Sequence, residues 1–409
     1  MPTPKRRGAA RWSAVFVSGP TSNSPATATD ASEAGKNLTH SERNIRVGFN
    51  AVFYTGSRVG VDVYVENLVR ELAATWRLTV YTSELAAFKP MGVETRLIPH
   101  WTRDYRGRFL WVHTMLPRLL IRDRVDVVLS PFVESPTARI PSIAVVHDLT
   151  PLVLPGSCPP VYTSLFRISL KRLNRASAIV VDSECTRRDI EQSRLLGDRR
   201  VVVIPSGTNI ADLRVAESQT HVAVPLEGPF LLSVGGFLPH KNLPLLLEAF
   251  SELKSRIPHR LVLVGAYNEF TLPPLVRRIE ELGLQSRVTV LTDVTTERLA
   301  NLYRHCELFV FPSRYEGFGL PVLEAMACGA PVLCSNSSSL PEVGGDAVRY
   351  FAPDARTELV TGIIELLTDV NARSRLSALG RARAQEFTWR RTADCYSALI
   401  RSLLPNDIR

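Results

Sequence analysis

From Asn44 onward, short β-branched apolar runs alternate with longer stretches in which apolar residues recur every three or four positions. That alternation predicts a parallel sheet covered by helices, and it occurs in two series. The first predicts strands at Ile45–Asn50, Leu78–Thr82, Thr95–Pro99, Val125–Ser130, Ile143–His147, Ala178–Asp182 and Val201–Pro205. Helices fall between them near Val61–Ala74, Gly107–Ile121, Pro160–Arg175 and Cys185–Ser193. The polar stretch Asn209–Gly228 has no sustained period and reads as a linker. The second series predicts strands at Phe230–Val234, Leu261–Val264, Val288–Leu291, Leu308–Phe311, Pro331–Cys334 and Arg349–Phe351. Its helices fall near Leu243–Ser255, Pro274–Leu282, Thr296–His305, Pro321–Cys328, Glu358–Asp369 and Ala372–Glu386, with a last helical run ending near Leu404. On the first of these, Leu245, Leu246, Ala249, Phe250 and Leu253 make an apolar face. The expected organisation is a tail over 1–43, a Rossmann-like domain over 44–208, a linker over 209–228, a second such domain over 229–388 and a terminal helix over 389–409. Periodicity alone also fits a periplasmic-binding-like or dehydrogenase fold.

One turn concentrates the candidate chemistry. Glu316-Gly-Phe-Gly-Leu320 links the apolar strand before it to a short helix that Gly329 closes. Pro321 suits the first helical turn, whose amides offer a positive dipole end to a phosphate or hydroxyl. Gly317 and Gly319 allow close approach of backbone to ligand. Glu316 is expected at the carboxyl end of a strand and Glu324 in the first helical turn, both facing one crevice. Taken alone, two glutamates at this spacing are ordinary surface groups that complement a helix dipole.

Three further segments end strands on the same side. Ser233-Val-Gly235-Gly236-Phe-Leu-Pro-His240-Lys241 places a lysine one residue before Asn242, an expected N-cap. Its ammonium suits the neutralisation of a diphosphate. Ile143-Ala-Val-Val-His147-Asp148 ends an apolar strand in a histidine, and Asp148 is expected to cap the following loop. Tyr54-Thr-Gly-Ser-Arg-Val-Gly60 leads from the first strand into a helix, with Gly60 permitting close approach.

Glu316 through Pro331, followed by Ser339-Leu-Pro-Glu-Val343, resembles the donor-binding region of the retaining GT-B glycosyltransferases of family 4, also called glycosyl transferases group 1. The resemblance extends from Asn44 to Leu404 and is strongest toward mannosyltransferase-like members. It implies two Rossmann-like, doubly wound domains facing a central cleft, the last helix crossing back to the first domain. It also implies a hexosyltransferase of polysaccharide biosynthesis that retains the anomeric configuration. The donor would be a nucleoside-diphosphate sugar, GDP-mannose favoured, with glucose, rhamnose and N-acetylglucosamine donors open. Gly235, Gly236, Lys241, Glu316, Phe318, Gly319, Leu320 and Glu324 would bind the donor, with Glu324 on the ribose and Glu316 on the sugar. Gly60, His147 and Asp148 would lie on the acceptor side, and His147, Glu316 and Lys241 would carry catalysis. Gly236 stands where many members have an arginine, so His240 or Arg314 is the expected second cation. The chain has no D-x-D triplet, and neither a metal nor a cofactor is expected. A GT-B sugar-nucleotide epimerase and a non-catalytic sugar-nucleotide-binding partner are the rival readings.

Composition narrows the rest. No G-x-G-x-x-G follows the first strand of either series, which disfavours a dehydrogenase. No helical cluster of His and Asp accompanies His147-Asp148, which disfavours an HD-type metallohydrolase. No run of about 18 apolar residues predicts a membrane span. The six cysteines are scattered, as in reduced proteins, so a cytoplasmic location is expected. A formal charge of +9 favours an anionic partner. A glycan or lipid-linked acceptor and peripheral contact with an anionic inner membrane surface are expected, and nucleic acid is not. The tail, with Lys5-Arg6-Arg7 and the Asn37-Leu-Thr39 sequon, has no apolar stretch resembling a secretory signal and is expected to be disordered.

Overall fold

A computed structural model describes residues 45–56, 60–136, 139–154, 156–197, 199, 201–208 and 228–404. The expected tail lies outside them, as do residues 209–227 of the expected linker and the last five residues of the expected terminal segment.

The first sheet contains β1 (Arg46–Asn50), β2 (Arg77–Thr82), β3 (Glu94–Leu97), β4 (Val127–Ser130), β5 (Ser142–Val146), β6 (Ala178–Val181) and β7 (Val201–Val203) in the order β3-β2-β1-β4-β5-β6-β7. The second contains β8 (Phe230–Val234), β9 (Arg260–Val264), β10 (Val288–Leu291), β11 (Leu308–Phe311), β12 (Val332–Ser335) and β13 (Arg349–Phe351) in the order β10-β9-β8-β11-β12-β13. Neighbouring strands run parallel throughout. Each sheet is doubly wound, as the Rossmann-like reading expects.

Helices cover both faces, so the strands read as continuous apolar runs. In the second sheet the two-residue period divides the core. Leu232, Val262, Phe309 and Phe311 face one layer, and Leu231, Leu261, Leu308 and Val310 face the other.

The helix Trp389–Leu403 belongs to the far end of the sequence but packs on the first sheet. Trp389, Ala393, Tyr396 and Ile400, spaced three or four apart, join a core with Val47, Phe49, Tyr64 and Leu68. The Tyr64 and Tyr396 hydroxyls are 2.6 Å apart, and Trp76 Nε1 donates to Ser397 Oγ at 3.0 Å.

One expected helix is two. Gly107–Ile121 divides into Tyr105–Thr114 and Leu116–Arg122, joined at Met115. Pro117 sits in the first turn of the second, where its missing N–H leaves no helical bond unmade. On Leu243–Leu253 the buried face includes Leu247 as well as Leu246, Ala249, Phe250 and Leu253, while Leu245 is half-buried.

Candidate active site

Strand order reverses between β1 and β4 in the first sheet and between β8 and β11 in the second. Crevices open at the carboxyl ends of strands at such points. The loop after β8 delivers Lys241 and the loop after β11 delivers Glu316. Lys241 Nζ lies 2.6 Å from Glu316 Oε1, with only 14% and 11% of the two side chains exposed. Gly235 starts the first loop at φ 151°, which side-chain-bearing residues rarely adopt, and Pro239–Lys241 form a 3-10 turn. A Cβ on Gly235 would stand 3.5 Å from Lys241 Cε.

Asn242 does not cap the helix Leu243–Leu253 with its side chain. It takes the left-handed conformation at φ 54°, whereas a capping side chain normally sits on extended backbone. Its carboxamide turns away and donates to Pro353 O at 2.9 Å.

Serines hold the glutamate turn. Ser338 Oγ accepts from Glu316 N at 2.8 Å, and Ser339 Oγ lies 2.9 and 2.7 Å from Glu316 O and Phe318 O. Ser335 and Ser337 both bond Ser313 O. His240 O accepts from Arg314 N at 2.8 Å and Ser313 Oγ at 3.1 Å, joining the β8 and β11 loops. Gly319 takes φ 114°, and the helix Leu320–Cys328 begins there and ends at left-handed Gly329.

Glu324 is the fifth residue of that helix, so it stands in the second turn rather than the first. Its Oε2 accepts from Tyr303 Oη at 2.9 Å. Burial raises its pKa to about 7 against the pull of that hydrogen bond, leaving the carboxyl near half-protonation at neutral pH.

The two candidate second cations differ. Burial and the Lys241 charge hold the His240 pKa below its ordinary value. Arg314 is engaged elsewhere, its Nε bonding Asp354 at 2.8 Å. A Cβ on Gly236 would meet only Leu238 at ordinary contact distance.

On the first-sheet side, His147 follows β5. Its Nδ1 lies 2.6 Å from Asp182 Oδ2 and its Nε2 2.9 Å from Pro131 O. Two acceptors on two ring nitrogens call for a doubly protonated ring. Burial opposes the charge most strongly of any single influence, but Asp182, the Pro131 carbonyl and Asp148 together outweigh it, and the pKa lies above its ordinary value. The ring packs edge-on to Tyr64 and Phe132. Asp148 Oδ1 accepts from Thr150 N at 2.7 Å, the capping expected of it. Gly60 opens the helix Gly60–Ala73, and a Cβ there would lie 3.8 Å from Leu320 Cδ1 across the cleft. A cavity of about 730 Å³ beyond Asp148 is lined by Pro151, Leu152, Ser157, Cys158, Thr163 and Arg167, among others.

The two domains meet through groups that motif reading did not single out. Glu342 places both carboxylate oxygens on the helix Glu184–Ser193, accepting from Glu184 N and Cys185 N at 2.7 Å each. This is a side chain of one domain satisfying the first-turn amides of the other. Tyr315 Oη accepts from Leu149 N at 3.3 Å and donates to Asp189 at 2.6 Å. Thr186 Oγ1 is 3.3 Å from both His147 O and Gly317 O. The signal for Glu342 was its place in Ser339-Leu-Pro-Glu-Val343; the other partners are fixed only by the meeting of the domains.

Two family models match the chain: Glycosyltransferase Family 4 over residues 59–212 and Glycosyl transferases group 1 over residues 216–383. It is 33% identical over 275 residues to the serotype-specific mannosyltransferase WbdA of Escherichia coli, a match covering 64% of this chain and 34% of that protein. It is 39% identical over 162 residues to the O-antigen chain mannosyltransferase B of Escherichia coli, covering 39% of this chain and 42% of that one. The chain thus spans about a third of the length of the first of these relatives. Sucrose-phosphate synthase from Thermosynechococcus elongatus superposes with a TM-score of 0.73 at 21% identity, over 88% of this chain and 99% of that one. Anabaena Alr3699/HepE, solved with UDP-glucose, superposes with a TM-score of 0.68 at 18% identity, over 88% and 100%. Together, two doubly wound parallel sheets, the paired loops at their switch points and the two family matches place this chain among the group 1 and family 4 glycosyltransferases of GT-B fold.

Proposed function

We propose that the protein is a retaining, metal-independent hexosyltransferase that uses a nucleoside-diphosphate sugar, with GDP-mannose the favoured donor. The observation that carries this reading is the Lys241–Glu316 pair, supplied by the strands on either side of the second sheet's switch point. A donor diphosphate entering there would draw the ammonium away from Glu316 and free its carboxylate for the sugar hydroxyls. The backbone of Phe318, Gly319 and Leu320, at the helix N-terminus, would support the same sugar and phosphate. Glu324 would take the ribose, while Gly235 and Gly236 keep the loop beside Lys241 low. In the retaining reaction the leaving phosphate accepts the acceptor proton, so stabilising its charge is the main task. His147, with both ring nitrogens engaged, would act through its fixed charge and its backbone contact with Gly317 rather than by moving a proton. Gly60 and Asp148 would border the acceptor.

The mannosyltransferase relatives support mannose as the sugar and a glycan or lipid-linked acceptor. Peripheral contact with an anionic membrane is supported by exposed Leu97, Trp101, Leu110, Met115 and Ile121, which stand among the exposed arginines 103, 106, 118 and 122. Among the described residues no helix is long and apolar enough to cross a membrane.

The test is a thermal-shift screen of nucleotide sugars followed by transfer to oligosaccharide acceptors. A true donor at a hundred times its dissociation constant stabilises by about 2.7 kcal/mol. Proton NMR of the product should show the donor's anomeric configuration, with turnover unaffected by EDTA. An inverted product or strict dependence on a divalent ion would overturn the reading.

A further inference from the structure

Buried polar groups without partners gather where the first sheet's strand order reverses. Asn50 ends β1, Glu134 and Ser135 follow β4, and Arg108 projects from the helix Tyr105–Thr114. All four are more than nine-tenths buried, at 0%, 5%, 7% and 8% exposure in that order. Asn50 Nδ2 bonds Ser130 Oγ at 3.3 Å, but Asn50 Oδ1 has no hydrogen bond. Arg108 Nε and Glu134 Oε1 face each other at 3.9 Å, an ion pair too long to be a hydrogen bond. Arg108 Nε, Glu134 Oε2 and Ser135 Oγ are likewise unsatisfied. Natural cores seldom leave several such atoms together unless something else satisfies them.

The neighbouring apolar surface is aromatic. Phe53 and Phe132 stack with centroids 3.7 Å apart, and the Arg108 guanidinium lies 3.5 Å over Phe53. Phe132 also meets the His147 ring edge-on at 6.3 Å, which places the cluster beside the proposed transfer site.

We propose that Asn50, Arg108, Glu134 and Ser135 form a subsite for the terminal pyranose of an uncharged acceptor glycan. The cluster presents acceptors at Asn50 Oδ1 and Glu134 Oε2, a donor at Arg108 Nε and a hydroxyl at Ser135 that can serve as either. Adjacent sugar hydroxyls, each both donor and acceptor, match that set. The paired charges of Arg108 and Glu134 cancel, so the site suits a neutral polyol, and a phosphate would meet the Glu134 carboxylate. The Phe53–Phe132 stack forms the apolar wall of the cluster, and ring C–H groups would pack on it once Phe53 moves. Phe53 is half-buried, and its movement would admit the sugar. The word acceptor rests on the transferase reading; binding of a neutral sugar does not.

The experiment is saturation-transfer NMR on the full chain with the methyl glycosides of mannose, glucose, rhamnose and N-acetylglucosamine, with mannose 6-phosphate for comparison. Titrations with GDP-mannose and UDP-glucose form a separate arm. At least one neutral glycoside should bind better than mannose 6-phosphate. Ser135→Ala and Glu134→Gln should each weaken it about tenfold or more while leaving nucleotide-sugar binding unchanged. Ser135→Ala removes a buried hydroxyl that lacks a partner, so its Tm without ligand should stay level or rise, whereas Glu134→Gln leaves the Arg108 charge uncompensated and should lower it. The subsite is overturned if no neutral glycoside binds, if mannose 6-phosphate is preferred or if both variants bind as wild type does. Loss of binding in Ser135→Ala together with a Tm fall of several degrees in that variant would mark a purely structural cluster and overturn it too. Failure of the nucleotide-sugar arm alone would sink the transferase reading and leave the sugar subsite standing on its own variants.

Discussion

Gly317 rests against the main chain of His147 so closely that a Cβ on it would lie 1.9 Å from the His147 carbonyl oxygen and 2.8 Å from its carbonyl carbon. The obstacle is backbone, which cannot turn aside as a side chain can. Gly317→Ala should therefore wedge the domains apart beside Glu316. Small-angle scattering should report a larger radius of gyration. Turnover should fall by about 10²-fold, the scale of a misplacement near 1 Å. Unchanged scattering and activity would show that the domains do not close through this contact.

Removing Lys241 should be costly in two ways. Lys241→Ala should lower turnover by about 10²–10³-fold, as loss of a preorganised charge does. It also leaves Glu316 without its 2.6 Å partner, so Tm should fall; Lys241→Ala with Glu316→Gln should recover much of the Tm but none of the rate. Glu316→Gln alone should reduce turnover more than donor affinity. Steady-state kinetics and melting curves on the three variants decide this.

Glu324 should make donor binding and stability depend on pH in opposite directions. Its folded pKa, about 7, lies above the ordinary 4.5, so its contribution to stability is full below the ordinary value and is lost as pH rises through about 7. That loss is worth up to about 3 kcal/mol. Glu324→Gln should flatten the fall in Tm between about pH 5 and pH 8. Ribose hydroxyls need the carboxylate as acceptor, so wild-type affinity for the donor should rise across the same range. Calorimetry at several pH values should find the rise in wild type and not in the variant.

His147 obeys the same sign. Its folded pKa is raised, so the stabilisation by Asp182 is complete below the ordinary histidine value and fades as pH climbs through the folded one. Asp182→Asn should lose more stability near pH 6 than near pH 9 in urea unfolding. An equal loss at both would mean that the ring is neutral in the wild type.

Gly236 offers a test by addition. Space around it admits a side chain, and the family resemblance implies an arginine at this place. Gly236→Arg should leave Tm nearly unchanged and tighten nucleotide binding. Weaker binding would show that the diphosphate lies elsewhere.

Strands were legible because burial on both faces writes itself as unbroken apolar runs, as in Leu308–Phe311 and Ile143–Val146. The glutamate turn was legible because its glycines and proline are local requirements. Asn242 misled because a capping residue type says nothing of its backbone conformation, here left-handed. The 3-10 turn at Pro239–Lys241, the single-turn helix Thr150–Val153 and the break at Met115 escaped because one turn is too short to show a period. Contacts such as Glu342 to the amides of Glu184 and Cys185 join residues 158 and 157 positions apart, and no local pattern encodes them.

The placement of Trp389–Leu403 on the first sheet also sets a timetable for synthesis. Tyr64 leaves the ribosome 332 residues ahead of Tyr396, its hydrogen-bond partner. At cellular elongation rates that interval is roughly twenty seconds to a minute. Throughout it, the apolar surface around Val47, Phe49 and Tyr64 waits for a cover that is not yet made. The nascent first domain thus carries this apolar surface uncovered until the helix Trp389–Leu403 has been made.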